Sequence, residues 1–553
     1  FRHHPVGKRL LAVFLGGGRG CLGFFWYAQT VLMPAAVKDG EEVSVVIRAT
    51  GYSWETEYGV AADGEIELSG RRYKVRFYVN EDRKIEPGDL VRMQAQLRLT
   101  DEGGEQEPTF HRTRGILLLA YPRGEVILED LPPELRDLPA RWAEKLKGII
   151  DTSFPKDAAP FAKALLLGDK SGLLWSQSRD FSRSGISHIV AVSGLHVSIL
   201  FAFLSMVTGK RRFWMVLLGI PVLVLFGAMA GFTASVTRAV IMQIIFLLAL
   251  ALNREYDPPT ALAAAGLVML VQCPLVIAGI GFQLSFASVA GIFLFYEKLS
   301  NWLGNWLPGK GKTLRGRLER FFTASVAVTL SATVMTVPLT AIHFGLVSLV
   351  GVLTNLLVLP VVSLIFYGVM AVCTLGCFHM GAASALAWVM TWPIRYVLAV
   401  AHAMAKLPLA AVYTISPYIV LWVVFVYGLL GWLLLTKKKR PGVAAGLGAL
   451  ALGISLMLSF VEPLTCGYRV TVLDVGQGQS ILLQSQGSTF LVDCGGDRGE
   501  EAADIAAEQL LSQGITRLDG LILTHYDRDH AGGVPVLADR IEIERVYLPM
   551  TED

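Results

Sequence analysis

The sequence predicts a polytopic α-helical membrane protein with a small β-barrel before its spans and an α/β region after them. Three observations predict it. The 553 residues are 53% apolar and 17% charged, whereas soluble domains carry about 25% charged residues. Acidic residues vanish from long tracts, with none between Asp180 and Glu255 and none between Glu319 and Glu462. Strand-like patterning and ordinary charge density return on both sides of those tracts. The net charge of +3 is small, so its distribution says more than its sum. The chain opens on Phe1 and stops at Asp553 inside an unfinished pattern, so it reads as a fragment.

Arg2 to Arg9 is basic, and residues 10–36 are apolar apart from Arg19. The stretch is long for a signal peptide and lacks a clear small-residue cleavage site. Residues 1–36 therefore read as an N-terminal span with its basic end inside. Residues 42–130 change character: VSVVIRATGY, RRYKVRFYV, DLVRMQAQLRL and RGILLLAYP are strand-type runs. Asp63-Gly64, Pro87-Gly88 and Gly103-Gly104 read as the turns between them. Several short strands in about 90 residues read as a small barrel or sandwich, and five strands suit an OB-like barrel. Arg72, Lys74, Arg76 and Tyr78 form a basic, aromatic stretch that could bind single-stranded DNA. A solvated strand face has the same appearance. Residues 131–183 read as amphipathic connector helices, lying on the membrane surface or packed on the spans.

Residues 184–461 hold about ten spans: 189–207, 213–230, 235–252, 260–278, 282–295, 322–344, 346–378, 382–405, 418–435 and 443–461. Most approach the roughly 20 residues needed to cross. The tract 346–378 is too long for one straight crossing and contains Asn355 and Pro360, so a broken or re-entrant segment is expected there. Basic loops at 210–212, 310–320 and 437–440 belong inside with the N-terminus, which places both soluble regions of a multi-pass membrane protein outside the cytoplasm if residues 346–378 cross once net.

Polar groups at the mouth of the first long span are Ser187, His188, Ser193 and His196, and Arg238 and Arg395 lie in or near later spans. Gln283, Asn355, His343 and His402 join them. Such groups face protein or water, because lipid satisfies none of them. Cations without carboxylates suit the path of an anion or polyanion. Snorkelling and satisfied packing between helices account for the same residues. An aqueous path removes the cost of burying anionic charge in hydrocarbon.

The last region, 466–553, carries the densest chemistry. A strand ends at Asp493, and another leads into Thr524-His525-Tyr526-Asp527-Arg528-Asp529-His530-Ala531-Gly532-Gly533. Two His and two Asp so close together, after a buried strand and before a Gly-Gly turn, form a ligand cluster for a divalent ion such as zinc or manganese. His525, Asp527, Asp529 and His530 are the candidate ligands, Asp493 is a further one, and Asp527 and Asp529 are the candidate catalytic carboxylates. Cys466 and Cys494 flank the start of this region and could pair; sequence leaves that open.

That cluster resembles the HxHxDH motif of the metallo-β-lactamase superfamily, with Asp527 in place of the second His. With SGISHIVAVSGLHVS (184–198), GFTASVTRA (231–239), GFQLSF (281–286), HFGLVSLVGVLTNLLVLP (343–360) and DVGQG (474–478), the chain resembles the ComEC family of bacterial DNA-internalisation proteins. The resemblance runs over essentially the whole chain. It implies a channel that takes up single-stranded DNA in natural transformation, with an extracytoplasmic lactamase-like nuclease that degrades the other strand. It implies double-stranded DNA delivered by a surface receptor. No GxxxxGK[ST] motif occurs, so a cytoplasmic helicase is the expected source of pulling energy. Many members carry Asp at the position of Gln479, and the superfamily's later ligands are expected beyond Asp553, so the lactamase-like domain reads as truncated. The rival readings are a metallohydrolase tethered by inert spans and a small-anion transporter with a binding domain.

Overall fold

The computed structural model describes residues 23–56, 59–80, 83–100, 111–209, 211–306, 313–435, 441–465, 467–496 and 500–550. The chain divides into two compact units. The first holds residues 1–172, 188–289 and 361–395; the second holds residues 173–187, 290–360 and 396–553.

In the first unit, alternating apolar residues build β1 (Glu42–Ala49), β2 (Trp54–Thr56), β3 (Gly59–Leu68), β4 (Arg71–Val79), β5 (Leu90–Leu99) and β6 (Ile116–Glu129). The sheet order is β1-β5-β6-β4-β3-β2, and β1 also pairs with β3. That extra pairing closes five strands into an OB-like barrel, with β2 added outside β3. Only the β4–β6 pairing inside it is parallel. Ile47, Ile66, Phe77, Leu97 and Leu118 fill the interior.

The expected turn at Asp63-Gly64 is instead the middle of β3. Gly64 sits at the closure, opposite Ala49. A Cβ on it would lie 2.6 Å from the Ile47 side chain and 2.8 Å from the Arg48 carbonyl. Glycine marks a close strand approach here, which a turn signal mimics. The Gly103-Gly104 turn and residues 1–22 of the N-terminal apolar stretch fall outside the described residues; that stretch ends in the helix Met33–Ala36.

The connector helices Leu138–Ser153 and Ala159–Leu167 each bury an apolar face. Ile149 presses on Gly376, where a Cβ would lie 2.3 Å from its Cγ2. Phe161, Leu165 and Leu166 are buried. Arg48 of β1 pairs with Asp137, ahead of the first connector helix, at 2.7 Å.

Among the described residues, seven helices are long and apolar enough to cross a membrane: Arg212–Met229, Ala234–Ala251, Ile280–Trp306, Arg315–Phe344, Gly351–Gly376, Met380–Ala405 and Gly442–Glu462. Three apolar helices are shorter: Gly194–Val207, Pro258–Gln272 and Pro417–Leu433. Each expected span coincides with one of these ten. Two differ in form. The tract 260–278 stops being α-helical at Gln272, and Pro274 opens a 3₁₀ turn instead, as a residue without N–H does. The tract 346–378 is a strand followed by one helix. Leu346–Ser348 (β7) pairs with Ala411–Tyr413 (β8), and Gly351–Gly376 then runs unbroken through Asn355 and Pro360.

The end of the second unit is an α/β layer. Its sheet follows the order β15 (Val546–Tyr547), β13 (Gly520–Ile522), β11 (Ser488–Val492), β10 (Ile481–Ser485), β9 (Arg469–Val472). The helix Glu501–Ser512 packs on it through Ala502, Ala506 and Leu510.

Candidate functional site

Parallel pairing of β11 with β13 brings two strand ends side by side, Val492 against Ile522. Asp493 follows the first and Thr524 the second. Asp493 is fully buried and holds a left-handed backbone, φ 58°. Such strain in a non-glycine residue persists only where its surroundings enforce it. Three donors enforce it here. The Thr524 N–H reaches Oδ1 at 2.8 Å, the Thr524 hydroxyl reaches Oδ2 at 2.7 Å, and His530 Nδ1 reaches Oδ2 at 2.8 Å.

These bonds decide the histidine tautomers. An ionised carboxylate only accepts, so His530 carries its proton on Nδ1 and leaves Nε2 a free lone pair. The Thr524 proton goes to Asp493, so at 3.0 Å His525 Nδ1 donates to the Thr524 oxygen and frees its own Nε2. The two rings lie 3.6 Å apart. Ligand atoms of His525, Asp529 and His530 fall within 4.8 Å of one another. Two imidazole lone pairs and a carboxylate fit a divalent ion. Asp493 has both oxygens engaged, so it orients a ligand rather than joining the set. Asp527 stays outside the set: its side chain is 82% exposed, 3.7 Å from His525 Nε2. Thr524, the hub of this network, was legible only as the residue before the cluster.

Backbone contacts hold the cluster from below. Gln479 N–H donates to the Asp529 carbonyl at 3.1 Å, and Cys494 N–H donates to the His530 carbonyl at 2.7 Å. A Cβ on Gly495 would lie 2.4 Å from the Asp529 carbonyl carbon, so this approach requires glycine. Cys494 is a free, buried thiol, and burial followed by the nearby Asp493 and Asp504 pushes it up to about 12. Cys466, its suggested mate, lies outside the described residues.

A second buried acid ties this region to its neighbours. Asp504 accepts from Trp175 Nε1, from Arg540 Nη1 and from Arg179 Nη1, the last at 3.3 Å. Arg540 also donates to the Tyr413 hydroxyl of β8 at 2.7 Å. The helix Trp175–Ser184 and β8 thereby dock on the α/β layer. Nothing in the sequence marked this junction, since its members are scattered from 175 to 540.

The membrane candidates separate. Arg395 meets Asp157 at 2.7 Å, and the Arg395 hydrogen bond holds that carboxyl below its usual range. His402 meets Asp180 at 2.8 Å. Both acids come from outside the acid-free tracts. Ser187 bonds Ser182 at 3.1 Å, and Gln283 donates to the Ile277 carbonyl at 3.1 Å. His188 is exposed. His196 caps its own helix, its Nδ1 accepting the Ser193 N–H at 3.1 Å. Asn355 is buried with Oδ1 unbonded, and Arg238 is buried with Nε unbonded. Ser187, Asn355 and His402 belong to the second unit, and His188, Ser193, His196, Arg238, Gln283 and Arg395 to the first.

On the barrel, Arg72, Lys74, Arg76 and Tyr78 all point outward from β4. The first three stand opposite Glu67, Glu65 and Asp63, and Arg76 pairs with Asp63 at 2.8 Å. Tyr78 stacks on Tyr121 of β6, rings 4.9 Å apart and nearly parallel, and Arg76 lies over Trp54. Trp54 is legible in the sequence as one of the aromatics interleaved with these basic residues, whereas Tyr121 lies on β6, far along the chain, and was not.

The chain matches the family model described as "Competence protein" over residues 165–440 and that of the metallo-beta-lactamase superfamily over residues 473–552. The chain belongs to the ComEC family. Similar proteins are ComE operon protein 3 of Bacillus subtilis, 24% identical over 71% of this chain, and competence protein ComA of Neisseria gonorrhoeae, 27% identical over 68%. Recombination protein 2 of Haemophilus influenzae is 24% identical over 79%. The chain covers 51%, 52% and 58% of these three relatives, so it spans about half their length. No solved structure matches it. As a ComEC-family chain it is a multi-pass membrane protein, and its lactamase-like domain implies a divalent metal.

Proposed function

We propose that the chain is the core of a DNA-uptake machine in a bacterial inner membrane. The helical bundle passes single-stranded DNA to the cytoplasm, and both soluble regions lie outside. The observation that carries this reading is the union, in one competence-type chain, of a bundle with an unpaired buried arginine and a domain with a three-donor cluster. Relatives named for competence and recombination support it.

In this reading the lactamase-like domain is a phosphodiesterase acting on the strand that is not imported. His525, Asp529 and His530 hold a divalent ion, which supplies Lewis acidity and a more acidic water. Asp493 keeps the His530 proton on Nδ1, and Thr524 keeps the His525 proton on Nδ1. Exposed Asp527 stands free beside the trio as a proton acceptor. On the barrel, the paired acids blunt the basic residues, so the Tyr78–Tyr121 platform carries base stacking. A surface receptor supplies double-stranded DNA, and a cytoplasmic helicase pulls.

The test is DNA import in cells carrying the full-length protein at matched membrane levels. Arg238→Ala should abolish import. His525→Ala with Asp529→Ala should permit import and leave the partner strand undegraded. Normal import with Arg238, Ser193 and His196 all replaced by alanine would instead support a hydrolase tethered by its spans.

A further inference from the structure

Arg238 lies in the second turn of the Ala234–Ala251 helix and is 7% exposed. Its Nε has no hydrogen-bond partner, and no ion pair to it occurs among the described residues. Helical side chains lean toward their own N-terminus, so this guanidinium leans toward the positive end of its own helix. It also lies against the start of a second helix, Gly194–Val207. A Cβ on Gly194 would sit 2.9 Å from Arg238 Nη2.

Helix starts carry partial positive charge and unpaired N–H groups. At the second start, the Ser193 N–H is taken by His196 Nδ1. The N–H groups of Gly194 and Leu195 bond no carbonyl, and both residues are only half-buried. Because Nδ1 accepts, the His196 proton is on Nε2, which is buried without an acceptor. A cation pressed between two positive helix ends is repelled by both, in a tract that holds no acid between Asp180 and Glu255. Folding alone gives no return for this arrangement, because an unpaired buried charge is costly. One kind of partner satisfies the guanidinium, the N–H pair and the electrostatics together: an oxyanion arriving from outside the chain, as at other helix starts.

We propose that Arg238, the N–H groups of Gly194 and Leu195, and His196 form a phosphate-holding station. Its ligand is a tetrahedral phosphate oxyanion, and the identification of that phosphate with the DNA backbone rests on the path reading above. Gly194 is needed because any side chain there displaces the guanidinium.

The test uses the full chain in a phosphate-free maltoside detergent, with inorganic phosphate, a short oligothymidylate and glycerophosphate as probes. Each variant is first melted without any probe. Arg238→Gln should melt higher than wild type in that state, because the unpaired charge is gone. A lower melt would show that the arginine is satisfied by the fold and would overturn the station. Wild type should gain stability saturably with phosphate. Arg238→Gln and Gly194→Ala should weaken that response about tenfold or more, and Arg238→Lys by less. Phosphate binding by Arg238→Gln within about twofold of wild type overturns the proposal. The probes and cells separate it from the path reading. Stabilisation by glycerophosphate but not by oligothymidylate supports a lipid-headgroup station and removes DNA from it. Lost phosphate binding with normal DNA import keeps the station and sinks the path. Lost import in Arg238→Gln with intact phosphate binding does the reverse.

Discussion

Asp493 and Asp504 are buried acids in the lactamase-like domain, and each has three donors. Arg238 is a buried base in the bundle, and its Nε has no acceptor. The sign of the charge does not account for this contrast, since Arg395 and His402 in the same acid-free tracts both find carboxylates. What differs is whether the fold needs the charge for itself. A saturated buried charge positions other groups, and its loss harms folding or geometry. An unsaturated one weakens the fold until something else binds it.

The largest effect should come from breaking the saturated pair. Asp504→Ala leaves Arg540, 6% exposed at its side chain, without its carboxylate. Removing one partner of a buried pair costs about 3–5 kcal/mol. The domain should melt markedly lower, whereas Asp504→Leu with Arg540→Met should recover most of the loss. An unchanged melt for Asp504→Ala would mean the cluster is solvated and the contrast with Arg238 is void.

Asp493→Asn comes next. The size is kept, but the acceptor that fixes the His530 tautomer is weakened. Loss of such a supporting carboxylate typically costs 10- to 100-fold in metal affinity, or about 1.4–2.8 kcal/mol. Competition with a zinc chelator measures it. Asp527→Asn, outside the trio, should change affinity far less. If the two variants rank the other way, Asp527 is the ligand and Asp493 only a strut.

How much of this could be read in the sequence follows from range. The strand-end aspartate, the His and Asp cluster and the ten apolar tracts are local patterns; His525, Asp529 and His530 come together while Asp527 stays outside, and tracts 260–278 and 346–378 take another form. The barrel was legible as a class, but its β3 was not, because Asp63-Gly64 mimics a turn and only the closure with β1 shows why glycine is there. Arg238 could be named as a lone cation, yet so could Arg395; only folding shows that one reaches Asp157 and the other does not. The Trp175–Asp504–Arg540–Tyr413 junction spans most of the chain and has no local signature at all.

Glu508 gives a smaller effect with a definite sign. Burial, opposed by Arg540 and reinforced by Asp504, pushes its carboxyl from 4.5 up to about 7. The folded state therefore binds this proton more tightly than the unfolded chain. Its contribution is fully present below the unfolded value of 4.5 and is lost as pH rises to about 7. Glu508→Gln should remove that slope and raise the melt above neutral pH. A wild-type melt that is flat across this window, and unchanged by Glu508→Gln, would show that the carboxyl is solvated.

The smallest effect tests the barrel face, where the contrast takes its mildest form. Lys74 stands opposite Glu65 and Arg72 opposite Glu67 in the strand register, so each positive charge has an acid as its cross-strand neighbour. Exposed pairs of this kind contribute about 0–1 kcal/mol. Lys74→Ala should therefore alter oligothymidylate affinity only about twofold, while Tyr121→Ser, which dismantles the ring stack, should cost more, because base stacking is worth about 1–3 kcal/mol per base. Glu65→Gln sharpens the point: freeing Lys74 from its neighbour should strengthen binding and steepen its salt dependence. If Lys74→Ala outweighs Tyr121→Ser, phosphate contacts rather than stacking dominate that face, and the acids opposite are spectators.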